Sequence, residues 1–282
     1  MLQFLMQDAR ELGPPHYNDE SLSIRYLVLN FVAMHTTTLA FTNALINAAA
    51  YSPSGGGQYW EILRDEVLMV DRLSEEGPAG VWTKKKLNKL VGMDSFIRET
   101  LRFHMVAAAA LVRKVMAKEG YTFSNGLHIK HGELVGVPAI SIHTTDESSG
   151  DNPMEFQGFR FSKPYHVLLD EGASASDITF GGTRLSAVTT TDRFLTFGHG
   201  KHAWLASFPM LNTSRMCLAD IIWYSPGRFF AINEVKMLLK YCVLNHELHS
   251  IEKRPSRNFI WVNQAPPLSL KLQLRKRKEV HR

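Results

Sequence analysis

"FLTFGHGKHA" (Phe194–Ala203) and "PGRFFAINEVKMLL" (Pro226–Leu239) are the two pieces of sequence on which the reading of the fold turns. The first carries Gly198 and Gly200, residues free to take φ > 0 where the backbone must turn tightly. The second opens with Pro226 and continues at helical spacing. Proline suits a helix's first turn, where a missing N–H has no intrahelical partner to lose. Between them stand the twenty-two residues Trp204–Ser225, "WLASFPMLNTSRMCLADIIWYS", which follow neither pattern.

Outward from these pieces the chain reads as mostly helical. Pro226–Leu248 has the length and spacing of a final long helix. Upstream, "YLVLNFVAMHTTTLAFTNALINAAAY" (Tyr26–Tyr51) reads as a long buried helix ended by the breaker run "SPSGGG" (Ser52–Gly57), after which "QYWEILRDEVLMV" resumes helical spacing. "WTKKKLNKLVGMDSFIRETLRFHMVAAAALVRKVM" (Trp82–Met116) reads as a short helix followed by a longer one, with Met93, Phe96, Ile97 and Leu101 near helical spacing. The period then changes. "YTFSNGLHIKHGELVGVPAISIH" (Tyr121–His143) mixes β-branched residues with Asn-Gly and His-Gly pairs, the signature of short strands and tight turns. The expected fold class is mainly α with a small β portion (α+β), in one domain or part of one.

A hydrophobic content of 45% in 282 residues supports a sizeable core and excludes a chain disordered by composition. Formal net charge is +5, and the terminal "KLQLRKRKEVHR" (residues 271–282) alone carries six Lys or Arg against one Glu. The remainder is neutral, so no nucleic-acid partner is indicated and the tail is expected to be a solvated basic end. Cys217 and Cys242 are the only cysteines, which excludes a disulfide framework and suits a reducing compartment. No signal-peptide pattern opens the chain. Tyr26–Tyr51 is interrupted by Asn, His and Thr where a membrane span needs about 20 apolar residues, so no anchor is visible.

Several pieces, in order, resemble the cytochrome P-450 monooxygenases of the fungal kind. "ETLR" supplies Glu99 and Arg102 as that family's Glu-x-x-Arg, and "FQGFRF" places Arg160 where the family has the arginine that joins the pair. "AMHTT" in the long helix is similar to the family's oxygen-activation segment, and "FGHGKHA" with "PGRFFA" to its haem loop in two parts. The resemblance implies the C-terminal part of the P-450 fold over residues 1–282, with the family's N-terminal portion and membrane anchor absent. It implies heme as cofactor, electrons from NADPH through a separate NADPH-cytochrome reductase, and an apolar small-molecule substrate, for example a terpenoid or other secondary metabolite. For a full-length member it implies the endoplasmic reticulum membrane.

Glu99 and Arg102 sit three apart and share a helix face. As an exposed pair they would contribute about 0–1 kcal/mol. On an apolar helix with Arg160 downstream they are expected to form a buried network behind the haem, since a guanidinium can bind a carboxylate bidentately and still reach carbonyls. By the resemblance, Thr37 matches the threonine that helps relay protons and Ala33 the small residue beside it. Thr36 stands where the family has an acid, so a relay here would depend on water or on another acid. The structural alternative is that the threonines bond back to preceding carbonyls and bend the helix; His35 reads as a packing histidine. Phe197, Gly198, Gly200 and Gly227 are implied to lie against the cofactor, and His202 and Arg113 to meet its propionates.

The family places its axial cysteine directly after "HA" and before "PGR". A thiolate just before a helix start meets the helix dipole and pushes electron density onto iron. Here that cysteine, expected between Ala203 and Pro226, is missing, and Trp204 follows Ala203. Codons offer a reason. Trp204–Leu205 can be written TG|GTT, the first two bases of a Cys codon and an intron donor, and Tyr224–Ser225 can be written TATAG|C, an acceptor and the missing base. Residues 204–225 therefore read as a translated intron, with a true insertion loop as the alternative; closure of such a loop costs free energy only logarithmically in its length. Cys217 is the substitute candidate for the metal, but without glycines before it or a helix start after it, it fits inert packing. Cys242 reads as core. Two further readings stay open for the chain as written: an inactive truncated pseudoenzyme or gene-model product without haem, and a non-catalytic interaction module. Haem incorporation separates the monooxygenase from both, and partner binding by the purified apo-chain would mark the module.

Overall fold

A computed structural model describes residues 2–14, 16–51, 58–74, 80–105, 107–145, 150, 152–172, 186–200, 227–256, 258–260 and 263–278. Its helices are α1 (Leu2–Leu12), α2 (Asp19–Ala50), α3 (Gln58–Leu73), α4 (Lys84–Lys89), α5 (Val91–Phe103), α6 (Ala139–His143), α7 (Tyr165–Asp170) and α8 (Arg228–Asn245). The strands form antiparallel pairs: β1 (Ala110–Lys114) with β4 (Leu134–Val137), β2 (Tyr121–Thr122) with β3 (His128–Ile129), β5 (His246–Leu248) with β8 (Leu274–Lys276), and β6 (Asn258–Ile260) with β7 (Asn263–Ala265). The expected class, mainly α with a small β portion, is the one observed.

Helix α2 begins where Asn18 Oδ1 accepts the Ser21 N–H at 2.8 Å, with Asp19 and Glu20 in the first turn against the positive end of the dipole. Its second half joins the core through Ala44 and Ala48, while Tyr26, Leu27, Phe31 and Met34 of the first half are exposed. The expectation of a helix buried throughout is corrected accordingly. Helix α5 has no side-chain cap of its own. Glu66 of α3, fully buried, supplies one from outside: its carboxylate accepts the N–H groups of Gly92 (2.7 Å), Met93 (2.8 Å) and Tyr165 (3.0 Å). Behind that cap Met93, Phe96, Ile97 and Leu101 pack with Trp60, Leu63 and Val67 of α3 and with Ile232, Val235 and Leu239 of α8.

Three boundaries depart from the sequence reading. The longer helix of the Trp82–Met116 stretch ends at Phe103, and the Ala-rich run beyond it becomes β1, because Ala110, Arg113 and Lys114 find partners in Val137, Val135 and Leu134. Long-range pairing overrides alanine's helix propensity here, with Leu111 at φ 53° marking the irregular step. The last helix stops at Asn245, and His246–Leu248 turn into β5. The basic end is partly docked rather than solvated throughout: β8 pairs with β5, and Arg277 donates to the His246 carbonyl (3.2 Å) and to Glu61 Oε1 (2.5 Å).

The turn at 156–162 lies directly on α5. A Cβ at Gly158 would stand 2.7 Å from the rings of Phe96 and Tyr59, so only glycine lets the chain approach this closely. Ser95 Oγ donates to the Gly158 carbonyl and accepts from the N–H groups of Phe161 and Ser162, and Tyr59 Oη accepts the Gly158 N–H. Among the described residues no helix is long and apolar enough to cross a membrane.

Candidate functional site

One buried turn of α5 organises the site. Glu99, with no exposed surface, accepts from Arg102 Nε at 2.7 Å and Nη2 at 2.8 Å, a bidentate pair at the three-residue spacing of a shared helix face. Arg160 Nε reaches the same carboxylate at 3.2 Å, and the Gln157 N–H donates to it at 2.9 Å. The guanidinium donors left over find carbonyls. Arg102 Nη1 donates to His143 (2.7 Å) and Pro153 (2.8 Å), and Arg160 Nη2 to Asn152 (3.0 Å) and Glu155 (2.8 Å). A carboxylate buried among two guanidiniums and a backbone amide thus ties the 152–160 segment to α5.

Two residues that the sequence reading passed over carry this frame to the "FLTFGHG" loop. His143, fully buried, accepts the Leu195 N–H at Nε2 (2.7 Å), which leaves its Nδ1 as donor to the Arg102 carbonyl at 3.2 Å. Burial, with the Arg102 and Arg98 cations nearby, pushes its pKa from 6.5 down to about 4, so the ring is neutral. Arg98 donates to the carbonyls of Ser186 (2.5 Å) and Thr189 (2.9 Å), and burial brings its pKa down to about 10. Phe194 is held between them, its ring parallel to that of His143 at 5.3 Å and under the Arg98 guanidinium at 3.9 Å. Arg98 is the neighbour of Glu99 in "IRETLR", which was a usable signal. His143 had none.

The loop so fixed closes one side of a cavity of about 990 Å³ of empty space including its open mouth. Thr36, Thr37 and Ala40 line it from α2, Leu101 and Met105 from the end of α5, Leu111 and Arg113 from β1, Leu195, Phe197 and Gly198 from the loop, and Ile232 and Val235 from α8. Gly198 has φ 78° and Gly200 φ 72°, the left-handed turns that favour glycine. Thr37 is 8% exposed, and its Oγ1 lies 3.3 Å from Glu234 Oε2 of α8. The structure therefore brings Thr37, Arg113, Phe197 and Gly198 to one cavity, with Glu99, Arg102 and Arg160 behind its Leu101 wall, whereas Gly200 and Gly227 do not line it. His35 bonds locally to the Phe31 carbonyl and packs on the Phe31 ring. Cys242 is half-buried against the core, and burial raises its thiol pKa.

His202, Cys217, the position after Ala203 and the whole 204–225 segment lie outside the described residues. Among the described residues no group of three or more His, Cys, Asp or Glu is arranged to hold a metal ion. What is present fits a haem in two respects: the lining is mostly apolar, as a flat macrocycle requires, and the exposed guanidinium of Arg113 at the lining matches a propionate.

The protein-family model described as Cytochrome P450 matches residues 1–204. Among curated proteins the chain is similar to Cytochrome P450 monooxygenase 71 of Postia placenta, 34% identical over 253 residues, covering 89% of this chain and 41% of that protein. It is also similar to Cytochrome P450 monooxygenase gloP of Glarea lozoyensis, 32% identical over 282 residues, covering 98% and 45%. The chain spans less than half the length of these curated relatives. A crystal structure of a cytochrome P450 (CYP102L1) shares the fold with a TM-score of 0.58 at 19% identity, covering 92% of this chain and 47% of that one.

Proposed function

We infer function from one premise: this chain belongs to the cytochrome P450 family. We propose that a protein of its relatives' length carrying this segment is a haem-dependent monooxygenase acting on an apolar small molecule, for example a terpenoid or other secondary metabolite. NADPH supplies the electrons through a separate reductase, and the full-length protein sits at the endoplasmic reticulum membrane. The observation that carries the reading is the cavity on which Thr37, Arg113 and the Phe197–Gly198 turn converge. Bound there through a cysteine thiolate, haem would supply dioxygen activation, one oxygen atom entering the substrate and the other leaving as water. Arg113 binds a propionate, and His202 a second. The apolar wall of Leu101, Ile232 and Val235 excludes water, and Thr37 holds a proton at Oγ1. Glu99, Arg102 and Arg160 act at one remove, fixing the backbone that carries the loop.

The axial ligand is the cysteine that splicing out residues 204–225 restores between Ala203 and Pro226. That the family match runs to residue 204, the first of the segment, supports this reading. The same observation favours a second reading for the chain as written: with Trp204 after Ala203 it is an inactive product without haem-thiolate ligation. The test is to replace residues 204–225 by one Cys within a full-length protein, add haem, reduce under carbon monoxide and record the Soret band. A thiolate-type band is expected there, and none from residues 1–282 unaltered. No band from the restored protein would sink the monooxygenase reading; a band from the unaltered chain that disappears in Cys217→Ala would make Cys217 the ligand.

A further inference from the structure

We propose that Glu234 is the acid that serves Thr37, in place of the carboxylate that position 36 does not carry. The inference rests on the monooxygenase reading above. Thr36 and Thr37 face the cavity from α2, and neither can act as an acid. Glu234 arrives from α8, 197 positions along the chain, from the same helix turns whose Ala231, Ile232 and Val235 line that cavity. Its Oε2 accepts from Thr37 Oγ1 at 3.3 Å. Hydroxyl–carboxylate bonds usually measure about 2.5–3.0 Å, so this hydroxyl is not locked on its acceptor and can turn toward the cavity. Glu234 is half-buried, open enough to exchange protons with water while Thr37 is closed off. Lys236, two residues on, points its ammonium to Asp94 at 2.5 Å and to the Leu87 carbonyl at 3.3 Å, an ion pair separate from the Thr37 contact.

The proton count closes. Glu234, protonated from water, gives its Oε2 proton to Thr37 Oγ1 as Thr37 passes its own hydroxyl proton to an oxygen acceptor in the cavity. The Glu234 carboxylate then takes a proton from water, and one proton has moved inward with both side chains restored. Glu234 touches no reacting atom; it acts through Thr37.

A tie that merely joined α2 to α8 would survive Glu234→Gln, because the amide oxygen still accepts from Thr37, whereas proton supply would not. In the haem-free chain the Thr37 hydroxyl proton, followed by NMR, is expected to exchange with water at least about tenfold more slowly in Glu234→Gln than in the parent. Equal rates in folded proteins overturn the proposal. If Glu234→Gln loses its far-UV circular dichroism, Glu234→Asp decides instead: keeping the acid but setting it back by one methylene, it should slow exchange by a smaller factor, and an unchanged rate again overturns it. Haem titration of the full-length protein with the restored Cys separates this inference from the functional reading, since haem binding with no exchange difference sinks the relay alone. An exchange difference without haem binding keeps the Glu234–Thr37 relay and sinks the monooxygenase.

Discussion

Glu99→Ala removes the one anion from a site that holds two guanidiniums. The lost contacts are the bidentate pair with Arg102 at 2.7 and 2.8 Å, the Arg160 bond at 3.2 Å and the Gln157 amide at 2.9 Å, all onto a carboxylate with no exposed surface. The Arg102 side chain is 1% exposed and that of Arg160 6%, so water does not replace the missing charge. Breaking a buried pair from one side costs about 3–5 kcal/mol, out of a total that for a whole domain is about 5–15 kcal/mol. The control is Lys163–Glu171, an ion pair whose side chains are 54% and 50% exposed, where Glu171→Ala should cost roughly 0–1 kcal/mol. Urea unfolding followed by circular dichroism compares the two, and in the haem-loaded full-length protein Glu99→Ala should also abolish haem incorporation rather than slow turnover. A Glu99→Ala loss no larger than that of Glu171→Ala, or a normal haem content, would refute the buried-network argument.

Four other outcomes follow from the same geometry. His143 has a folded pKa of about 4 against 6.5 unfolded, so its contribution, roughly 3 kcal/mol, is present above pH 6.5 and is lost as the pH falls toward 4; urea midpoints across that window should fall more steeply for the parent than for His143→Gln, and parallel slopes would count against it. Gly158→Ala places a methyl 2.7 Å from Phe96 and Tyr59 and should cost about 1–3 kcal/mol, visible as a lowered melting temperature; an unchanged melting temperature would mean the turn can move. Arg113→Ala in the restored full-length protein should weaken haem retention on gel filtration without changing the apo-protein's circular dichroism. Reverse-transcribed message should join the Ala203 codon to Cys and Pro226, and retention of the 204–225 segment in every mature transcript would defeat the intron reading.

The helices and the α+β class were legible because apolar spacing and breaker runs are local properties, and the same holds for Glu99 and Arg102, which share one turn. Arg160 was placed by resemblance; its distance of 61 positions from Glu99 carries no local signal, and the contact exists because Gly158 lets the turn sit on α5. β1 was misread as helix because alanine propensity is local while the strand partners lie more than twenty residues on. His143 and Arg98 were passed over because their work is on backbone groups of the 186–195 segment, contacts that no spacing announces. Glu234 left a trace, an acid inside the apolar run "FFAINEVKMLL", but its meaning needed Thr37 brought to it across the fold.

The cap that α5 borrows from Glu66 bears on the order in which this structure can assemble. A thirteen-residue helix is marginal by itself, since its first turn must be nucleated before any bond rewards it. The amides that open α5 have their acceptor on α3, 26 and 27 positions earlier, so nucleation of α5 is coupled to the docking of α3. Because that separation is short, the α3–α4–α5 stretch can close early at small loop entropy, ahead of contacts such as Thr37–Glu234 that span 197 positions. The helix turn bearing Glu99 and Arg102 would then be rigid before the segment with Arg160 arrives, which gives the second arginine a formed carboxylate to find.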